Sequence, residues 1–350
     1  MDPKEHGHSR FHSRAKVVLI SCLLFSLQLS RASACLWDRD TMAAEQARLD
    51  QAIDIITGNF PRHSREFHQW RVTETQKLLG KAPANLPLYD DLAVSQHKLG
   101  DHAGAIETMK TKQKLRPGVY ETYSNMGTFL IYTGDLSKAL GFINKALSIN
   151  PNAHFGREKY QKWLVEWVIA GKPALSDQPW SSKQGYPATG YAGFVLSKQS
   201  LPAGEAMSKQ LRRDAIKGIV GMMRFADFDN PILQEALGDL LCTGQVDTVS
   251  AHLAALTYLH ASQKAINPDE QARLAKKFTT ARSTFHDGMS PETLTAELKE
   301  ALSKSEKLAN QVREDEIEWI SKGKNASEEF IQKYFPAETS AEKATLNPAN

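Results

Sequence analysis

Two stretches decide how this chain of 350 residues is read: LPLYDDLAVSQHKLGDHAGAIETMKTKQKLRP at 86–117 and YETYSNMGTFLIYTGDLSKALGFINKALSINP at 120–151. Aligned, their equivalent residues stand 34 positions apart: Tyr89 with Tyr123, Gly100 with Gly134, Asp101 with Asp135, Ala105 with Ala139 and Pro117 with Pro151. A spacing of this size, kept in register over two copies, marks a repeated supersecondary unit. Ala93 and Ala105 in one copy, and Gly127, Ala139 and Ala146 in the other, are small enough for two helices of a hairpin to approach closely. Gly100 and Gly134 fall where a helix ends in a left-handed cap, and each proline closes its copy because it has no N–H to continue a helix. Each copy is therefore expected to be a pair of antiparallel helices.

The period and the residues that carry it resemble the tetratricopeptide repeat. The resemblance covers 86–151 and implies an all-α fold of antiparallel helix-hairpin repeats, wound as a superhelix and followed here by a helical C-terminal half. One residue departs from the pattern: Lys112 stands where the second copy has Ala146, which predicts a looser or more exposed second helix in the first copy. Two hairpins do not bury a solenoid's faces by themselves, so the flanks should complete the array. Residues 35–85 read as an N-terminal helical hairpin, a degenerate repeat with helices ended by Gly58 and Gly80. Residues 152–170 read as a capping helix with Tyr160, Trp163, Leu164 and Trp167 on one face.

Residues 171–204 lose this periodicity and mix proline and glycine with Trp180, Tyr186, Tyr191 and Phe194. That aromatic content predicts an irregular loop packed across the helical array. Helical patterning returns over 205–335. Asn230-Pro231, Asn267-Pro268 and Ser290-Pro291 each place a capping side chain before a proline at the first helical position. Residues 231–262 resemble one more, degenerate repeat with Gly244 at its turn, and 291–322 form one long helix. Its apolar spacing sustains no heptad, so it is expected to pack on the array instead of forming a coiled coil. The tail 336–350 is polar and expected to be disordered.

At the other end, Arg10, Arg14 and Lys16 precede the apolar run VVLISCLLFSLQL at 17–29 and then Ala32, Ser33 and Ala34. A basic start, a short apolar core and small residues make the pattern of a secretory signal peptide over 1–34. Its removal leaves 38 Lys/Arg against 38 Asp/Glu, so the mature chain is formally neutral and offers no electrostatic footprint for nucleic acid. Cys35 is then the mature first residue. Lipidation of Cys35 is the second reading, though Ala32 stands where a lipidation site prefers a branched residue and Leu36-Trp37 replaces a polar tether. A Cys35–Cys242 disulfide is compatible with simple cleavage only.

No catalytic motif is present: there is no G-x-S-x-G elbow, Walker loop or dinucleotide fingerprint. His63 and His68 are five apart, as are His97 and His102, which is not the helical spacing of zinc proteases. No metal, cofactor or catalytic residue is assigned on these grounds. What the resemblance implies is a concave groove, lined by the first helices, that receives a protein or peptide partner. Its candidate residues are Asp90, Val94, His97 and Lys98 from one copy and Ser124, Thr128, Ile131 and Tyr132 from the next. Chaperone-binding members of the family use lysines and asparagines to clamp a partner's terminal carboxylate; Asp90 and Val94 stand where that clamp would begin, so the resemblance does not extend to carboxylate-end recognition, and the mix favours a partly apolar partner segment. The expected function is an exported, non-catalytic scaffold, resembling tetratricopeptide proteins of the bacterial envelope, with membrane contact only through a lipid on Cys35. The alternative is an enzyme whose site lies between the two helical halves under the 171–204 loop.

Overall fold

The computed structural model describes residues 52–152, 156–174, 185–200, 205–283 and 290–335. Residues 1–34, read above as an export signal, Cys35, Trp180 and the tail 336–350 lie outside the described residues. Among the described residues the fold is all-α, with fourteen helices and no strand; a lone backbone pairing joins Tyr186 to Gly244 at 2.9 and 2.8 Å.

The two aligned stretches fold as two hairpins, α3 (Leu86–Lys98) with α4 (His102–Leu115) and α5 (Tyr120–Tyr132) with α6 (Leu136–Ile149), after α1 (Ala52–Thr57) and α2 (Arg65–Lys81). Their turns repeat bond for bond. Gly100, at φ 90°, donates to His97 O and Asp101 N to Gln96 O, both at 2.9 Å; Gly134, at φ 80°, donates to Ile131 O and Asp135 N to Leu130 O at 3.1 and 3.0 Å. Each aspartate side chain then caps the following helix, accepting from Gly104 N in one copy and Lys138 N in the other. Ala93, Ala105 and Ala139 are wholly buried between the paired helices. Gly80, read as a helix end, is instead the second-last residue of α2.

Lys112 corrects the expectation of an exposed second helix. It is buried, with its ammonium bonded to the Asp90 carboxylate, and Asn125 Nδ2 donates to the same carboxylate at 3.2 Å. The long side chain fills the space that the second copy leaves to Ala146, and the charge it brings in is matched by Asp90 across the hairpin.

The stack extends by one helix at each end: α2 packs on α3, and α7 (Arg157–Ile169) packs on α6. The chain then runs through α8 (Gly190–Ser197), α9 (Lys209–Phe225), α10 (Pro231–Leu241), α11 (Thr248–Lys264), α12 (Pro268–Arg282), α13 (Pro291–Ser321) and α14 (Ala326–Tyr334). Asn230, Asn267 and Ser290 are the N-caps of α10, α12 and α13, each accepting from backbone N–H groups ahead of it. The stretch read as an irregular loop contains α8, in which Tyr191, Ala192, Phe194 and Val195 are all buried. A helix covered on every side has no polar face, so it carries no amphipathic period to detect.

The largest core belongs to the C-terminal half, where Ile219, Leu237, Leu240, Ala254 and Leu256 pack with Tyr160 and Trp167 of α7. Ile55 and Ile56 of α1 also enter it, and the described part of α1 packs on α9, α11 and α13 instead of closing a hairpin with α2. The long α13 spans two cores. Its Leu294 and Leu298 join the main one, while Val312 and Trp319 pack with Phe67 of α2 and Phe330 of α14.

Candidate functional site

The eight groove candidates do not share one open surface. Asp90 lies inside the first hairpin with Lys112, and burial pushes its carboxyl up to about 6 against the pull of that lysine. Ser124, together with Tyr120 at 2.8 Å, donates to Glu158 of α7, and Thr128 accepts from Gln161 of α7 at 3.1 Å. The face of α5 proposed for a partner is therefore covered by α7. His97 stacks on Phe129 at 4.8 Å, meets Tyr132 edge-on at 4.6 Å and faces His102 Nδ1 at 3.0 Å. Burial and the neighbouring Lys98 hold the His97 imidazole down at about 3, so it is neutral. Ile131 packs at the edge of the hairpin core.

Lys98 reaches away from the hairpins. Its ammonium donates to the Phe225 and Ala226 carbonyls at 2.8 and 2.7 Å, closing the C-terminal end of α9. Alongside, Arg157 of α7 lies over the Phe225 ring at 5.0 Å, and Gly218 and Gly221 leave room on α9 for Tyr160 and Arg157. The helix that lies against α7 and ends on Lys98 is thus the protein's own α9.

Beside that junction a cavity of about 340 Å³ opens between the 60–65 segment, α2, α3, the end of α9 and α14. Val94 and Lys98 line it, and they are the groove candidates that the structure brings together there. Phe60, Phe225, Phe228, Phe330 and Phe335 provide apolar walls, with Phe60 edge-on to Phe228 at 6.2 Å. Arg62, Arg65 and Arg224 add guanidinium groups; Arg62 lies over the Phe228 ring at 4.9 Å and Arg224 over Phe60 at 5.7 Å. Asp227 is the carboxylate among the lining residues, and its Oδ1 accepts from Asp229 N at 3.1 Å within its own turn.

His63 also lines the cavity, stacked on Phe67 at 3.6 Å between centroids. Its Nδ1 contacts Glu316 Oε1 of α13 at 2.6 Å, and Glu316 Oε2 accepts from Ser64 N at 2.8 Å, where α2 begins. Burial lowers the imidazole well below 6.5 and raises the Glu316 carboxyl to about 7, so the pair is neutral at mildly acid pH with the proton on the carboxyl. The unfolded chain ionises this glutamate near 4.5, before the folded chain does. Stability contributed below pH 4.5 is accordingly lost as pH rises toward 7. Urea denaturation at pH 5 and pH 8 should show wild type losing up to about 3 kcal/mol relative to Glu316→Gln over that interval. Parallel pH profiles for the two proteins would exclude this proton.

A second charged cluster sits where residue 172 and α8 meet the C-terminal half. Glu235, on α10, accepts from Arg273, Lys277 and Lys172; Asp239, one turn on, accepts from Lys277 and Tyr258 OH at 2.6 and 2.7 Å and from Tyr191 N at 2.8 Å. Against burial, which pushes it up, the three cations hold Glu235 down at about 2, whereas burial leaves Asp239 raised. All four carboxylate oxygens are engaged, which makes this a structural network with no oxygen left for a substrate. Cys242, at the end of α10, is a free thiol pushed up to about 12 by burial and by Asp239, far from thiolate chemistry.

Among the described residues no three His, Cys, Asp or Glu side chains converge on a metal position, and no helix is long and apolar enough to cross a membrane. Compared with known proteins, the chain matches no family model and no curated sequence. The cavity was not legible in the sequence because its walls come from four separated segments. A local signal existed in FPRHSREFHQWR at 60–71, which sets three arginines and two histidines against a single glutamate.

Proposed function

We propose that the protein is an exported, non-catalytic binding protein of tetratricopeptide type, which takes a partner protein segment into the cavity beside its first repeat. The observation that carries this reading is the cavity itself, where phenylalanine walls meet Lys98, Arg62 and Arg65 next to the array. The groove proper is a weaker candidate, since α7 bonds to Ser124 and Thr128. The repeated turn at Gly100 and Gly134 supports the tetratricopeptide assignment, and the signal-like pattern over 1–34 supports export.

Immobilised mature protein exposed to an envelope fraction of the source organism tests both parts. A specific partner should be retained by wild type and by Lys138→Glu, an exposed change on α6, and lost with Arg65→Glu at the cavity rim. Retention of every partner by Arg65→Glu sinks the cavity reading. The mass of the same mature chain should begin at Cys35; persistence of residues 1–34 sinks export, and a lipid adduct on Cys35 replaces simple cleavage with membrane anchoring.

The second reading, an enzyme with its site between the halves, draws on the cavity-lining His63 oriented by Glu316. Against it, the 171–204 stretch, expected as the cover, contributes none of the described residues that line the cavity.

A further inference from the structure

The cavity has more positive charge than the protein neutralises. Lys98 has three donors, two of them spent on the Phe225 and Ala226 carbonyls, and no carboxylate is bonded to it among the described residues. Arg62 uses Nη1 on Gly58 O and, at 3.4 Å, on Ser305 Oγ; its contacts are carbonyl, hydroxyl and the Phe228 ring, again without a carboxylate. Arg65 stands exposed at the mouth. Asp227 is turned into its own loop by the Asp229 amide. Burial alone opposes the charge on both Lys98, whose ammonium falls to about 8, and Arg62, while Asp227 and Asp229 only partly offset it.

Arg62 is half-buried and Lys98 and Arg65 are exposed, so the fold gathers these cations around one opening with no carboxylate bonded to Lys98 or Arg62 among the described residues. An anion entering there would be met by donors already in place, with no need to displace an internal carboxylate. The five phenylalanine walls exclude a fully hydrated anion such as free phosphate as the natural occupant, because that would leave their rings facing water. A volume of about 340 Å³ suits an acidic side chain together with one ring, at the lower end of ordinary ligand sites.

We propose that this cavity recognises an acidic side chain flanked by an aromatic residue in the partner's segment, with Lys98 and Arg62 holding the carboxylate and the phenylalanines holding the ring. The inference rests on the binding function proposed above and specifies the partner's chemistry. The site differs from a groove clamp, since Val94 and Lys98 are all that the two repeats contribute to its lining.

The probes are the capped tripeptides acetyl-Phe-Glu-Phe-amide and acetyl-Phe-Gln-Phe-amide, with free 3-phenylpropionate as a third ligand, titrated calorimetrically into the full mature chain. The glutamate peptide should bind about ten-fold more tightly than the glutamine peptide, and added salt should weaken it. Lys98→Met should abolish most of that preference. Arg65→Gln, at an exposed position where folding is not at stake, should lower affinity about three-fold through lost rim charge. Equal binding of the two peptides, absence of saturation at millimolar concentration, or an unchanged preference in folded Lys98→Met would overturn the proposal. Binding of 3-phenylpropionate without the peptide would also overturn it and identify a free aryl carboxylate as the ligand. If the peptides fail while Arg65→Glu still loses the captured partner, the binding function stands and only this recognition chemistry falls.

Discussion

Lys112→Ala should destabilise the protein by about 3–5 kcal/mol, although it restores the residue that the second repeat carries at the same place. Asp90 would be left inside the hairpin with Asn125 as its remaining hydrogen-bond donor and no cation. The double variant Asp90→Ser/Lys112→Ala, which copies Ser124 and Ala146 into the first repeat, should recover most of the loss, because both members of a buried pair leave together. Denaturant unfolding of the two singles and the double gives the coupling directly. Additive losses would mean that the pair contributes nothing as a pair.

The second large effect is expected at Lys277. It is the cation that touches both Glu235 and Asp239, and Asp239 has no other cation bonded to it among the described residues. Lys277→Met should cost roughly 3 kcal/mol at pH 7, as a carboxylate with 1 % side-chain exposure loses its counter-ion. The burial-raised Asp239 carboxyl then dictates the sign of the pH dependence: a proton neutralises it more readily as pH falls, so the deficit relative to wild type should shrink toward pH 5. A deficit that stays constant from pH 7 to pH 5 would show that packing, and not charge, is what Lys277 supplies.

These two sites lie beyond what local sequence makes readable. The caps at Asn230, Asn267 and Ser290 and the turns at Gly100 and Gly134 depend on neighbours within a few residues, and local chemistry was enough to place them. Lys112 is visible as a departure, but its consequence depends on Asp90, 22 positions earlier, which the repeat pattern places on a partner surface. Alignment gives each residue a position in the hairpin without saying which way a long side chain turns. The helix α8 carries no sequence signal because burial on all sides erases periodicity, and the cavity carries none because Arg62, Lys98, Phe228 and Phe330 come from segments far apart in the chain.

The long helix α13 has a further consequence for how the molecule is made. An array of stacked hairpins can form from neighbour-to-neighbour contacts as each repeat emerges. Here His63 meets Glu316 and Glu66 meets Arg313, pairs separated by 253 and 247 residues, so the edge of the array is finished by chain made about that much later. Closing loops of that length slows folding and makes it cooperative. Phe67 of α2 stays uncovered until Val312, Trp319 and Phe330 arrive, so this end of the array is completed late even if its hairpins form early.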